Sequence, residues 1–264
     1  MRTWWAVVPC ALVLSAQAAA AETGAAQDPL VSLRLDSEAT RYGTSYETVY
    51  QLNLQPGATL HLGSIELSLL LPLSASATAP TYCCRLALGN ATLAATQRNA
   101  SAGSRHWFEL SASLPSSHWS DPHANRLAAT AALLHDAGYY LPDTTTLRAG
   151  AGAEIDVTAW FSLGASAAAN YWLRPAEANP LIVPLTTWAT LRWAQAWSAR
   201  ASYRGLLRLA DPLGPEDRYL HGVSSAVAYA WPDSRLELSL FVPLDPSLLA
   251  LGMLSVGTSY ARSF

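Results

Sequence analysis

The stretch Leu147–Leu173 limits the fold more than any other part of the chain. Its odd-numbered positions, from Leu147 and Ala149 through Ile155, Val157, Phe161 and Leu163 to Tyr171 and Leu173, are all apolar or aromatic. The even positions between them are mostly polar or small, among them Arg148, Gly150, Gly152, Glu154, Asp156, Ser162 and Asn170. A period of two places one kind of residue on each face of an extended strand. About 27 residues is too long for one strand of a water-soluble protein. The stretch must therefore fold back on itself as a hairpin. The phase survives the reversal, which needs an odd number of residues in the turn, and Asp156–Thr158 is the expected place. Two long strands with one apolar face form the kind of wall that a closed barrel presents to lipid.

The strands that follow test this reading. Leu181, Val183, Leu185, Ala189, Leu191 and Trp193 keep the odd phase. A three-residue turn at Ala194–Ala196 should preserve it, and Trp197, Ala199, Ala201, Tyr203, Leu207 and Leu209 continue it. Tyr219, Val223, Val227, Tyr229 and Trp231 follow the loop at 210–218. A four-residue turn at Pro232–Arg235 should flip the phase, and Leu236, Leu238, Leu240 and Val242 are even. The last strand carries Leu254, Val256, Tyr260 and Phe264. Short turns alternate with longer loops at 174–180, 210–218 and 243–249, as in an up-and-down barrel with short turns on one side of a membrane. Trp193, Trp197 and Trp231 flank short turns and face outward, which predicts one aromatic girdle. Tyr171 and Tyr219 flank long loops and predict the other.

Composition agrees with a membrane wall. Of 264 residues, 51% are hydrophobic and only 13% charged, and ten Trp and eleven Tyr stand against four Phe. Tyr and Trp favour membrane–water boundaries, where one end of the ring is dry and the other hydrogen-bonds. A net charge of −3 argues against a general nucleic-acid binder. Residues 1–21 read as a signal peptide: Met1-Arg2, an apolar run from Trp4 to Ser15, and alanines suited to cleavage. Beyond them no apolar run is long enough for a transmembrane helix, so a spanning protein here must be a barrel.

The N-terminal half is less regular. Residues 22–45 read as a flexible lead-in or an extra strand, and the barrel as 46–264. Thr48, Tyr50, Leu52 and Leu54 alternate before Pro56-Gly57, a turn signal. Leu60 and Leu62 open a further strand, and the phase shift after Gly63-Ser64 suggests a bulge. Residues 72–84 read as a loop, with Cys83 and Cys84 as uninvolved cysteines at its turn. The phase slips again at Gly89-Asn90 in the strand Leu86–Thr96, and Phe108, Leu110, Ala112 and Leu114 form a clearer strand. Arg126–His135 fits helix or strand, and an even strand count favours strand. The expected architecture is all-β: a transmembrane antiparallel up-and-down barrel of about twelve strands.

If odd positions face lipid, even ones line the lumen. Arg148, Glu154, Arg192, Arg200, Arg204 and Arg208 are all even. Arg200, Arg204 and Arg208 form a column on one strand with steps of roughly 13 Å. Such a column inside a pore favours anions. The plainer alternative is that the arginines pair with Glu154, Asp156 and Glu237 as wall packing. Enzyme chemistry is not expected. His221 and Ser225 share a face but lie roughly 13 Å apart along a strand, beyond hydrogen-bond reach. No histidine spacing suggests a metal, and no cofactor is implied.

The C-terminal segment Leu254–Phe264, with Tyr260, Val256 and Leu254 alternating before a terminal Phe264, resembles the last strand of Gram-negative outer-membrane β-barrel proteins; Arg262 and Thr258 depart from that pattern. The resemblance implies that Phe264 and Tyr260 are read by the barrel-assembly machinery. More faintly, Leu88–Arg98 followed by Leu114-Pro115 resembles the transporter barrels associated with aromatic and phenol degradation. Together these readings imply an exported outer-membrane channel for small solutes, with anionic or aromatic solutes as candidates. A structural or surface-binding barrel and a membrane-embedded lipid-modifying enzyme are the alternatives.

Overall fold

The computed structural model describes residues 30–43, 47–79, 83–119, 122–132, 137–174, 180–194, 196–209 and 219–264. Residues 1–21, expected as a signal peptide, and the start of the expected lead-in lie outside them. The strand segments are β1 (Val31–Gly43), β2 (Thr48–Leu62), β3 (Ile65–Leu70), β4 (Leu73–Ala79), β5 (Cys83–Leu88), β6 (Thr92–Ser101), β7 (Ser104–Ser113), β8 (Thr145–Thr158), β9 (Phe161–Leu173), β10 (Leu181–Trp193), β11 (Trp197–Leu209), β12 (Tyr219–Ala230), β13 (Ser234–Pro243) and β14 (Leu254–Ser263). All neighbours pair antiparallel. Because β1 pairs with both β14 and β2, the sheet closes on itself. The Phe264 N–H donates to the Val31 carbonyl at the seam (2.8 Å). β3 with β4, and β5 with β6, are two halves of single staves, which makes a closed barrel of twelve strands.

The alternation across the hairpin Leu147–Leu173 is realised on β8 and β9. The turn is Ala159-Trp160, not Asp156–Thr158. Asp156 pairs with Ser162 and Thr158 with Phe161, so Val157 is the extra residue of a bulge. Two turn residues plus one bulged residue supply the odd count that the phase requires. At the next turn Trp193 pairs with Trp197, and the phase holds. Ala230 pairs with Arg235, and the phase flips. The outer face is largely apolar, with Leu163, Leu191, Val227, Leu238 and Val256 each 44–55% exposed. So much exposed apolar surface suits lipid and not water.

The irregularities of the N-terminal half have a common cause. Pro56-Gly57 is not a turn but lies inside β2, and β3 follows a tight turn at Gly63-Ser64 where a bulge was expected. Gly63 takes a positive φ of 64° there, and an even turn flips the phase without any bulge. Residues 72–84 are not a loop: most of them belong to β4 and the start of β5. The partner of β2 changes from β3 to β4 opposite Gln55 and Pro56, and Pro72 stands at the break. Neither proline has an N–H for the ladder, so the stave breaks where they meet. On the next stave Gly89, Asn90 and Ala91 interrupt β5 and β6 in the same place, and the Gly89 N–H donates to the Pro72 carbonyl (2.7 Å).

Arg126–His135 was expected as a strand. Pro122–Ala131 is instead a helix, α1, and 133–136 lie outside the described residues. Pro122 suits a first helical turn, and Ala124, Ala128, Ala129 and Ala131 are strong helix formers. The count stays at twelve because Val31–Gly43 is a stave. α1 belongs to the long connection between β7 and β8, which folds into the barrel. It contacts β1, β2, β4 and β5, and the inward residues of that wall are buried beneath it: Val49, Gln51, Asn53, Ser74 and Ser76 are at most 4% exposed. A hydrogen bond from Tyr42 Oη to the Leu127 carbonyl (3.2 Å) ties the helix to β1. Asn90, fully buried at the stave break, holds the connection in place. Its Nδ2 donates to the carbonyls of Gly138, Leu141 and Thr144 (2.8–3.1 Å), and its Oδ1 accepts from the Ser117 N–H (3.1 Å).

Candidate functional site

The inserted connection fills the β1–β5 side of the interior. The opposite wall, from β7 to β11, carries the candidate site. Its centre is Glu154 on β8. Arg105 Nη2 from β7 donates to Glu154 Oε1 (2.6 Å), as do Arg192 Nη2 from β10 (2.7 Å) and Ser162 Oγ from β9 (2.7 Å); Trp188 Nε1 from β10 donates to Oε2 (3.1 Å). Side chains from four consecutive strands can meet on one carboxylate only on the concave side of a wall. This convergence places the even positions of β8 and β10 inside. Asp156 takes second bonds from Arg105 (2.9 Å) and Arg192 (3.0 Å).

Two tryptophans complete the belt. Trp107 on β7 and Trp188 on β10 lie with ring centroids 5.8 Å apart. They cross the wall over glycines. A Cβ on Gly152 would come within 2.2 Å of the Trp107 ring, and one on Gly164 within 2.2 Å of the Trp188 ring. The guanidinium of Arg200, on β11, sits over the Trp188 ring at 5.8 Å and its Nε reaches Thr190 Oγ1 (3.3 Å). The belt thus joins three guanidinium groups, two carboxylates and two indoles. Such a surface offers hydrogen-bond donors, a cationic charge and flat rings for stacking.

The candidates read from the sequence divide accordingly. Glu154, Arg192 and Arg200 come together. Arg148 faces inward but pairs with Glu109 Oε1 (3.0 Å), and Arg192 is paired as well, so for these two the wall-packing alternative describes the contacts. Arg204 and Arg208 continue on the same face of β11, opposite Thr186 and Ile182 of β10. Trp107, Trp188 and Arg105 were missed. The available signal was parity: Trp188 is even on an odd-outward strand, and Gly152 and Gly164 stand on the lumen face of the neighbouring strands.

Outward, Trp193, Trp197 and Trp231 are 42–46% exposed. They cluster at the short-turn end: Trp193 stacks on Trp197 (6.5 Å), and Tyr229 links Trp197 (4.8 Å) to Trp231 (4.6 Å). Tyr171 and Tyr219 stand at the long-loop end, 40% and 39% exposed. Tyr219 Oη reaches Tyr203 Oη (2.6 Å), which in turn bonds His221 Nδ1 (3.0 Å). His221 is therefore engaged with a tyrosine. Tyr260 pairs across the sheet with Leu35 and Leu236, and Phe264 closes the seam. Among the described residues no cluster of His, Cys, Asp and Glu could hold a metal.

The fold is a closed twelve-strand antiparallel β-barrel with a polar interior and a largely apolar exterior. The structure superposes on an outer membrane channel from Pseudomonas putida F1 with a TM-score of 0.64 and 11% identity, covering 94% of this chain and 100% of that one. It also matches the NanC porin (TM-score 0.53, 8% identity, 87% and 100% covered) and the KdgM porin (0.51, 8%, 88% and 99%). At such identities the likeness concerns the fold. No family model matches the chain, and no curated relative matches it.

Proposed function

We propose that this chain is an outer-membrane channel that passes small solutes, favouring anionic and aromatic ones. The observation that carries this reading is the belt on the β7–β11 wall, where Arg200 covers Trp188 and Trp107 lies beside it. Three cationic groups against two carboxylates leave the belt net positive. Carboxylates held by two arginines each present little free negative charge to a solute. An aromatic carboxylate would find both a ring to stack on and a guanidinium to meet. The inserted connection narrows the passage from the other side, which limits solute size.

In this reading residues 1–21 direct export, the tryptophans near the short turns and Tyr171 and Tyr219 at the other end anchor the barrel in outer-membrane lipid, and Phe264 with Tyr260 is read by the assembly machinery. The porins it resembles in fold support the reading, as does the largely apolar exterior. The test is solute entry into vesicles carrying the refolded protein. Benzoate should enter faster than benzylamine, a cation of similar size, and both faster than into empty vesicles. Equal exclusion of both solutes by vesicles that hold folded barrel would overturn the proposal.

A further inference from the structure

A second cluster lies inside the barrel at the short-turn end, apart from the belt. It runs across β1, β2, β3 and β6. Ser32 Oγ is 2.9 Å from His61 Nε2. His61 Nδ1 is 3.3 Å from Glu66 Oε1. Arg98 Nε is 2.7 Å from Glu66 Oε2. Strand register fixes the order: His61 stands opposite Glu66 across the Gly63-Ser64 turn, and Ser32 pairs with Thr59, two residues before His61. His61 and Glu66 are 26% and 16% exposed at the side chain, so the group is open to the lumen yet sheltered by the wall.

The two ring nitrogens take different roles. Nδ1 faces the Glu66 carboxylate at 3.3 Å and Nε2 faces the Ser32 hydroxyl at 2.9 Å; in the tautomer with the proton on Nδ1, Nε2 turns a lone pair toward that hydroxyl. Arg98 Nε donates to the far oxygen of Glu66. A hydroxyl, an imidazole aimed at it by the correct nitrogen, and a carboxylate orienting the ring are the parts of an activated nucleophile. A plain cross-strand staple would need only one of these contacts.

We propose that Ser32 and His61 form a carboxylester-hydrolase site at the short-turn mouth, with Glu66 as its positioning residue. Ser32 Oγ attacks the ester carbonyl carbon and its proton passes to His61 Nε2. The bond to the alcohol oxygen breaks, and that oxygen takes the proton from Nε2. Water then attacks the acyl carbon and gives a proton to Nε2. The bond to Oγ breaks, Oγ recovers the proton, and the carboxylic acid leaves. Ser263, opposite Ser32 on β14, presents a hydroxyl donor on the same face for the oxyanion. The backbone N–H groups of the surrounding strands are engaged in the sheet. The site therefore suits esters with good leaving groups, such as aryl esters, and not amides. General-base help of this kind contributes about 10²–10⁴-fold. The inference is independent of the transport reading, because it uses none of the belt residues.

The experiment treats the refolded full-length barrel with a fluorophosphonate probe and maps the adduct by mass spectrometry, alongside p-nitrophenyl acetate hydrolysis. Ser32 should be labelled. Ser32→Ala and His61→Asn should bring hydrolysis to the rate of the lipid or detergent blank, and Glu66→Gln should lower both labelling and hydrolysis at least tenfold. Folding is checked for each variant by its heat-modifiable gel mobility. Hydrolysis by folded Ser32→Ala at the parent rate, or a folded parent that takes no label on Ser32, would overturn the proposal. Solute entry into vesicles should be unchanged in Ser32→Ala, which separates this test from that of the channel.

Discussion

Replacing Glu154 probes the account most deeply, because one side chain organises four strands. Glu154→Ala removes the acceptor for Arg105, Arg192, Ser162 and Trp188 at once, from a residue only 9% exposed. Breaking a buried ion pair by deleting one partner costs about 3–5 kcal/mol. Arg105 is 47% exposed and Arg192 32% exposed at the side chain, so water recovers part of that loss, and Asp156 remains to hold both arginines. About 2–3 kcal/mol is the expected net destabilisation, within the range of hydrogen bonds to charged groups. Glu154→Gln keeps an acceptor for Ser162 or Trp188 and should lose roughly half as much. Equilibrium unfolding of the reconstituted barrel in urea or guanidinium, followed by tryptophan emission, reads the difference. Emission should also shift in the folded state as Trp188 loses its bond to the carboxylate. A Glu154→Ala barrel as stable as the parent, within about 0.5 kcal/mol, would refute the view that this carboxylate ties the wall together.

Three other outcomes follow from the same geometry. Asn90→Ala removes the two amide N–H groups shared among three carbonyls and one accepted hydrogen bond between the stave break and the inserted connection; at about 0.5–1.5 kcal/mol per bond this should open the inserted connection to protease attack from the long-loop side and raise conductance. Gly164→Val drives a side chain into the Trp188 ring, which lies 2.2 Å from the Cβ position; it should cost about 1–3 kcal/mol and reduce benzoate entry relative to chloride. Arg200→Glu reverses the charge over Trp188 and should move ion selectivity toward cations, read as a change in reversal potential.

The C-terminal half of the barrel is legible in the sequence because each turn predicts the phase of the strand after it. Ala194–Ala196 and the turn after Trp231 do so without help from tertiary structure. Even the misplaced turn near Asp156 leaves the phase intact, since the bulge at Val157 supplies the missing residue. The N-terminal half resists for a physical reason. Pro56, Pro72 and Gly89 look like turn signals, yet they mark a break within staves, where two neighbouring strands lose their ladder together. Local patterning cannot tell a proline that ends a strand from one that interrupts it opposite another proline. The α1 segment misleads because the even strand count pulls it toward strand while its alanines favour helix, and only burial against Val49 and Tyr42 shows what they pack on. Charge pattern alone could not say which of the arginines a carboxylate already holds. Trp107 and Trp188 escaped notice because tryptophan in a barrel suggests the lipid boundary; their parity, set beside Gly152 and Gly164, was the signal that they turn inward.

Single-channel recording in a planar bilayer with a salt gradient tests the central claim directly. Discrete ion current through the refolded barrel is expected, with a reversal potential on the anion-selective side. Silence from a protein shown to be folded, or a cation-selective current, would contradict it.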